Sequence, residues 1–324
     1  MAGGERMLNT NLITKQVLEY ICYKRGMGYQ LKVEAEELQR FATYTRDLDY
    51  EGSLYGELAY QWATMKPEYT NWYMSRRLET VRTFAKYICV FDKQAQMPPK
   101  GLFGKCHGRT IPYVYSEIEI CKIITETSKL FSPDGLRALT MPTVIGLMWS
   151  TGMRPSEVCN LKNLDIDLLN EFITVNETKF SKSRVLPIHK TTVEKLRKYL
   201  CNRNQLLQCN ISEYFFLSTG GKELKLRNLE NALKLTRISL LLNEESCWNR
   251  RPPRLYDIRH SFACNTIRRW YKEGLDVNSK IAYLSTYMGH VKIQDTYWYL
   301  TGTPELLEYT STTFEDYFKE GGRV

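Results

Sequence analysis

The sequence predicts a mainly α protein with a small β-hairpin or sheet, an α+β fold in two domains. Three observations carry that expectation. Apolar residues recur at helical spacing along most of the chain, two β-branched or apolar runs flank a polar turn past the midpoint, and a Pro/Gly-rich stretch divides the chain. The 324 residues suit about two domains, each able to bury its own core.

Residues 1–95 read as a helical domain. Its clearest helix runs from Ser75 to Phe91, with Leu78, Val81, Phe84, Ala85 and Ile88 on one face and Arg76, Arg77, Arg82 and Lys86 expected on the other. Such a basic face is either simply solvated or in contact with nucleic acid. Residues 96–113 form the expected linker, carrying Pro98, Pro99, Gly101, Gly104, Gly108 and Pro112. The second domain spans 114–324 and opens with Ser116 as N-cap of an amphipathic helix containing Ile118, Ile120, Cys121, Ile123 and Ile124. Ala138 to Trp149 is too short to span a bilayer and is interrupted by Pro142, so it reads as a buried core helix. Phe172–Val175 and Arg184–Ile188 read as strands around an exposed turn at 178–182, and the rest, to about Asp316, reads as helical. The apolar tail from Pro304 to Phe318 is expected to dock on its own domain or on a second copy.

Hydrophobic content of 43% and charged content of 25% are those of a folded globular chain. The excess of 45 Lys and Arg over 36 Asp and Glu gives +9, which favours a polyanionic partner, nucleic acid first among them. Nine scattered cysteines without a Cys-x-x-Cys pair, and an N-terminus without a signal-peptide pattern, fit a cytoplasmic protein. No Walker loop, Gly-x-Ser-x-Gly or clustered metal ligands occur, so the sequence implies neither metal nor cofactor.

Four residues suggest chemistry. Tyr299 lies nine positions after His290, Arg154 precedes Pro155 at a helix start, and Arg259 sits early in a helix whose buried stripe is Ile258, Phe262, Ala263, Ile267 and Trp270. Attack on a phosphodiester raises negative charge on the non-bridging oxygens, and arginine, planar and always charged, suits those oxygens better than lysine. A helix N-terminus repels cations, so two arginines placed there make sense when an anion arrives between them. Pairing with Glu157, Asp165 or Asp257 in the core is the competing explanation for either arginine alone. Tyr297 competes with Tyr299 as nucleophile, but residues two apart on a helix point about 200° away from each other. Only one of the two can face the phosphate.

These residues resemble the tyrosine recombinase family, the phage integrase-like enzymes, over Tyr115 to about Leu307. Thr151-Gly152-Met153-Arg154-Pro155-Ser156-Glu157 is similar to the family's first arginine motif, Asp257-Ile258-Arg259-His260-Ser261-Phe262-Ala263 to its second, and Met288-Gly289-His290 to its Leu-Gly-His. Leu284 to His290 with Asp295-Thr296-Tyr297-Trp298-Tyr299-Leu300 further resembles transposon-borne members found as trios of recombinases. The resemblance implies a helical core-binding domain that contacts DNA, followed by a catalytic domain. It implies site-specific cleavage and religation of duplex DNA through a 3′-phosphotyrosine on Tyr299, for integration or excision of a mobile element. Arg154, Arg259 and His290 would hold the phosphate. Lys179, five residues before Arg184 of Arg184-Val185-Leu186-Pro187, would protonate the leaving oxygen, with Lys182 as its rival. Tyr256 stands where the family usually has histidine, and its hydroxyl is expected to serve as a fixed donor. His260 is not expected to be catalytic. A tetramer on paired DNA sites, with or without sister recombinases, is the implied assembly. Type IB topoisomerase-like relaxation and a non-catalytic DNA-binding accessory are the alternatives.

Overall fold

The computed structural model describes residues 11–104, 112–176, 183–207, 212–240 and 252–300. Lys179, Lys182 and the tail from Pro304 lie outside the described residues. The chain forms two compact units, Met1–Arg109 and Thr110–Val324.

The first unit contains α1 (Leu12–Gly26), α2 (Lys32–Asp47), α3 (Gly56–Ala63) and α4 (Asn71–Ile88). Asn11 caps α1 by accepting the Thr14 N–H at 2.9 Å, and Thr70 caps α4 by accepting that of Tyr73 at 3.2 Å. Ile13, Val17, Leu38, Phe41, Trp62, Val81 and Phe84 close the core, with Phe41 and Trp62 edge to face at 5.1 Å.

Arg77 corrects the expected basic face. It is 3% exposed because 77, 81, 84 and 88 form one helical stripe, which places Arg77 on the apolar side of α4. Its guanidinium lies 3.9 Å from the Trp62 ring centroid and 4.7 Å from that of Tyr69, and its Nε is 3.6 Å from Glu37 Oε1. Aromatic faces and a carboxylate thus replace its lost water. The stretch read as linker also packs on this unit as far as Gly104. Gln96 N–H donates to Leu54 O at 2.7 Å, Ser75 Oγ donates to Gly104 O at 2.9 Å, and Phe103 stacks on Tyr60.

The second unit contains α5 (Glu117–Thr127), α6 (Leu136–Thr151) and α7 (Pro155–Cys159), then strands β1 (Ile166–Asp167), β2 (Phe172–Val175) and β3 (Arg184–Pro187). After them come α8 (Lys190–Leu207), α9 (Leu226–Ser239), α10 (Leu255–Lys272), α11 (Val277–Met288) and α12 (Gln294–Tyr297). Ser116 and Glu119 form a full capping box at the start of α5. α6 is the central helix, packed by α5, α8 and α10 and continuous through Pro142. The antiparallel sheet runs β1-β2-β3, with Ile173 opposite both Ile166 and Leu186. Ile173, Val175 and Leu186 face the core while Val185 is exposed, the alternation that selects this register. The two-residue β1 was not foreseen, being too short to leave a periodic signal.

Two helix ends set up the site. α6 stops at Gly152 and α11 at Gly289, both left-handed, with φ of 63° and 66°. A Cβ on Gly152 would meet Phe262 Cδ1 at 2.4 Å, and one on Gly289 would meet Arg184 Nη1 at 2.9 Å, so both turns require glycine.

Candidate active site

The carbonyls left unpaired at those two helix ends receive the arginines. Arg259, on α10 and 5% exposed, donates from Nη1 to Gly152 O at 2.8 Å and from Nη2 to Met288 O at 2.5 Å. Arg154, the N-cap of α7, donates from Nη2 to Gly289 O at 3.1 Å. Both cations therefore lie at the negative ends of α6 and α11, and the helix starts that carry their backbones do not oppose them.

Glu157 gathers the positive charge. Its Oε1 accepts from Arg154 Nη1 at 2.6 Å and Arg184 Nη1 at 3.0 Å, and its Oε2 from Arg184 Nη2 at 2.7 Å and the Arg154 N–H at 2.8 Å. Arg259 Nη1 is 4.0 Å from Oε2. Burial alone would raise the Glu157 carboxyl, but the hydrogen bonds and charges of Arg184 and Arg154 outweigh it and hold the group at about 2. Burial, then the charge of Arg154, lowers Arg259 to about 10, so it stays cationic at neutral pH. Pairing with Glu157 is thus real for Arg154, yet one carboxylate facing three guanidinium groups leaves an excess of positive charge for an anion.

His290 follows Gly289 directly. Its Nε2 lies 3.2 Å from Arg259 Nη2 and its Nδ1 2.7 Å from Thr296 Oγ1. Burial, then Arg259 and Arg154, lowers it to about 4, so the ring is neutral at pH 7. Tyr299, 7% exposed, stacks on the His290 ring at 5.8 Å and 25°, with the His260 ring at 4.7 Å on another side. Burial raises its phenol, and the charge of Arg259 acts in the opposite direction. Tyr297 is 42% exposed.

The structure thus brings Arg154, Arg259, His290 and Tyr299 together. Tyr256 is 48% exposed and shares with Arg154 and Asn176 the wall of a cavity of about 930 Å³. His260 is 6% exposed, its Nε2 has no hydrogen-bond partner among the described residues, and burial lowers it to about 3. Two residues were missed by sequence reasoning. Arg184 had served only to set the register of Lys179, and Thr296 had no role; a lone arginine on a strand and a threonine in a short helix carry no signal of their partners.

Residues 115–305 match the family model described as the phage integrase family. The chain belongs to the phage integrase family of tyrosine recombinases. It is 35% identical over 296 residues to y4rB of Sinorhizobium fredii, named as an integrase/recombinase, across 90% of this chain and 93% of that one. Against the tyrosine recombinase XerD of Staphylococcus saprophyticus the identity is 26%, across 70% of each chain. The fold is similar to that of the Tn1549 transposon integrase in complex with transposon right end DNA, with a TM-score of 0.65, 14% identity, and 93% and 98% of the two chains covered. It is also similar to XerH site-specific recombinase bound to a palindromic difH substrate, with a TM-score of 0.63, 16% identity, and 92% and 84% covered. Among the described residues no helix of this tyrosine recombinase is long and apolar enough to cross a membrane.

Proposed function

We propose that this tyrosine recombinase cleaves and rejoins duplex DNA at a specific site, in the integration or excision of a mobile element. The observation that carries this reading is the convergence of Arg154, Arg259 and His290 on one point, with Tyr299 stacked against His290 at 5.8 Å. The Tyr299 phenol releases its proton to solvent as its oxygen forms a bond to phosphorus, and the bond from phosphorus to the 5′ oxygen breaks, leaving a 3′-phosphotyrosine. Lys179 gives the 5′ oxygen its proton. Attack by a 5′ hydroxyl of the partner strand reverses these bond changes, so no external energy source is needed. Arg154 and Arg259 carry the charge that develops on the non-bridging oxygens, and Tyr256 donates a hydrogen bond from the rim.

The basic excess of the chain favours DNA as the partner, and residues 1–95 serve as the core-binding domain. Exchange between two sites requires four copies on paired DNA, with sister recombinases as further candidates. The free thiols of Cys22, Cys89, Cys121, Cys159, Cys201 and Cys264 suit a reducing cytoplasm. The named relatives are integrases and recombinases, which does not favour relaxation alone or a non-catalytic accessory role. A duplex selected for binding and nicked beside the scissile phosphate tests the reading. A covalent protein–DNA complex should accumulate with the unaltered chain and be absent with Tyr299→Phe. Binding without any covalent complex would contradict it.

A further inference from the structure

His290 is held from both ring nitrogens. A guanidinium has only donors, so Nε2, 3.2 Å from Arg259 Nη2, must accept. The single proton of the neutral ring then lies on Nδ1 and is donated to Thr296 Oγ1 at 2.7 Å. Thr296 is fully buried, at 0% exposure, so water cannot replace its hydroxyl. Its carbonyl oxygen meanwhile accepts the N–H of Tyr299 at 3.0 Å, and its own N–H donates to Ile293 O at 2.8 Å. One residue thus ties the phosphate-binding ring, through its side chain, to the segment that carries the nucleophile.

The geometry points to Thr296 as a positioning residue for cleavage: it holds His290 as the Nδ1–H tautomer, with Nε2 turned to the arginine cluster, and couples that ring to the placement of Tyr299. The inference rests on the recombinase reading above. The charged groups facing His290 are Arg259 from α10, Arg154 from α7, Arg184 from β3 and Asp295 from α12, and the phenol of Tyr299 stacks on the ring. Three cations against one carboxylate disfavour a protonated ring. Arg259 excludes the Nε2–H tautomer, which would point an N–H at the guanidinium, and Thr296 supplies the buried acceptor without which the Nδ1–H of the remaining form would be unpaired.

Nitrogen NMR of the full chain labelled at histidine, with the His290 signals assigned through His290→Gln, reads the tautomer directly at neutral pH. The unaltered chain should carry its proton on Nδ1. Thr296→Val, nearly equal in volume but without the hydroxyl, should shift the ring toward the Nε2–H form. It should also slow covalent-complex formation on the nicked duplex by about 10–100-fold, the usual cost of removing the partner that orients a functional histidine, with DNA affinity retained. Thr296→Ser keeps the hydroxyl and should restore both the tautomer and most of the rate. A proton found on Nε2 of the unaltered chain overturns the inference whether or not the valine variant folds. Cleavage by Thr296→Val at the unaltered rate overturns it as well. Failure of the unaltered chain to form any covalent complex would instead overturn the recombinase reading, while the NMR result still reports the tautomer.

Discussion

Replacing Glu157 by glutamine keeps the shape of the side chain and removes the charge on which Arg154 and Arg184 converge and which Arg259 approaches to 4.0 Å. The carboxyl is lowered from 4.5 to about 2 in the folded protein. A carboxylate depressed by folding stabilises above its unfolded value, and that stabilisation is lost as the pH falls from 4.5 toward 2. At about 1.4 kcal/mol per pH unit the depression corresponds to roughly 3 kcal/mol at neutral pH, within the range of about 3–5 kcal/mol expected when one partner of a buried ion pair is removed. The glutamine amide would also turn an N–H₂ toward a guanidinium that can only donate. Urea unfolding of the second unit, followed by circular dichroism, should show Glu157→Gln less stable by about 3 kcal/mol at pH 7, a fall in melting temperature of roughly 6–12 °C. Between pH 4.5 and 2 the unaltered chain should lose stability more steeply than the variant. A variant that unfolds at the unaltered midpoint at pH 7, and follows the same acid slope, would refute the claim that Glu157 organises the arginine cluster.

Three further outcomes concern His260, Lys179 and Tyr256. His260 is lowered from 6.5 to about 3 by burial, so the unfolded chain takes up its proton first and stability drains as the pH falls through that window. His260→Phe should therefore escape about 2 kcal/mol of the loss between pH 7 and pH 5, and equal slopes in urea titrations of the two proteins would count against it. Lys179→Ala should be crippled on ordinary DNA and largely restored on a duplex with a 5′-bridging sulfur, which leaves without a proton; equal defects on both substrates would assign Lys179 another role. Tyr256→Phe should slow cleavage by on the order of 10²–10³ while Tyr256→His retains substantial activity, and an unaltered rate in the phenylalanine variant would reduce Tyr256 to a packing residue.

The parts of the fold legible in the sequence were those set by local chemistry. Ser116 and Glu119 form the capping box that their spacing encodes, Pro155 opens α7, and the alternation of Ile173 and Val175 places them on the core face of the sheet. Arg154, Arg259, His290 and Tyr299 were legible as a set because each belongs to a motif. Their partners were not. Arg184 meets Glu157 across 27 positions and Arg259 meets Gly152 across 107, distances over which no periodicity reaches. Arg77 was misplaced because charge was read as exposure, whereas Trp62, Tyr69 and Glu37 form a buried seat for it that only tertiary packing creates. The enclosure of Tyr299 between His260 and His290 likewise depends on how α10 and α11 meet.

The central claim is that Tyr299 is the nucleophile, and mass spectrometry of the trapped covalent complex tests it most directly. Digestion of the protein and the DNA should leave a nucleotide remnant on the peptide that contains Tyr299, joined through a 3′-phosphate to the phenol, with Tyr297 unmodified. A remnant on Tyr297, or on any other side chain, would contradict the account.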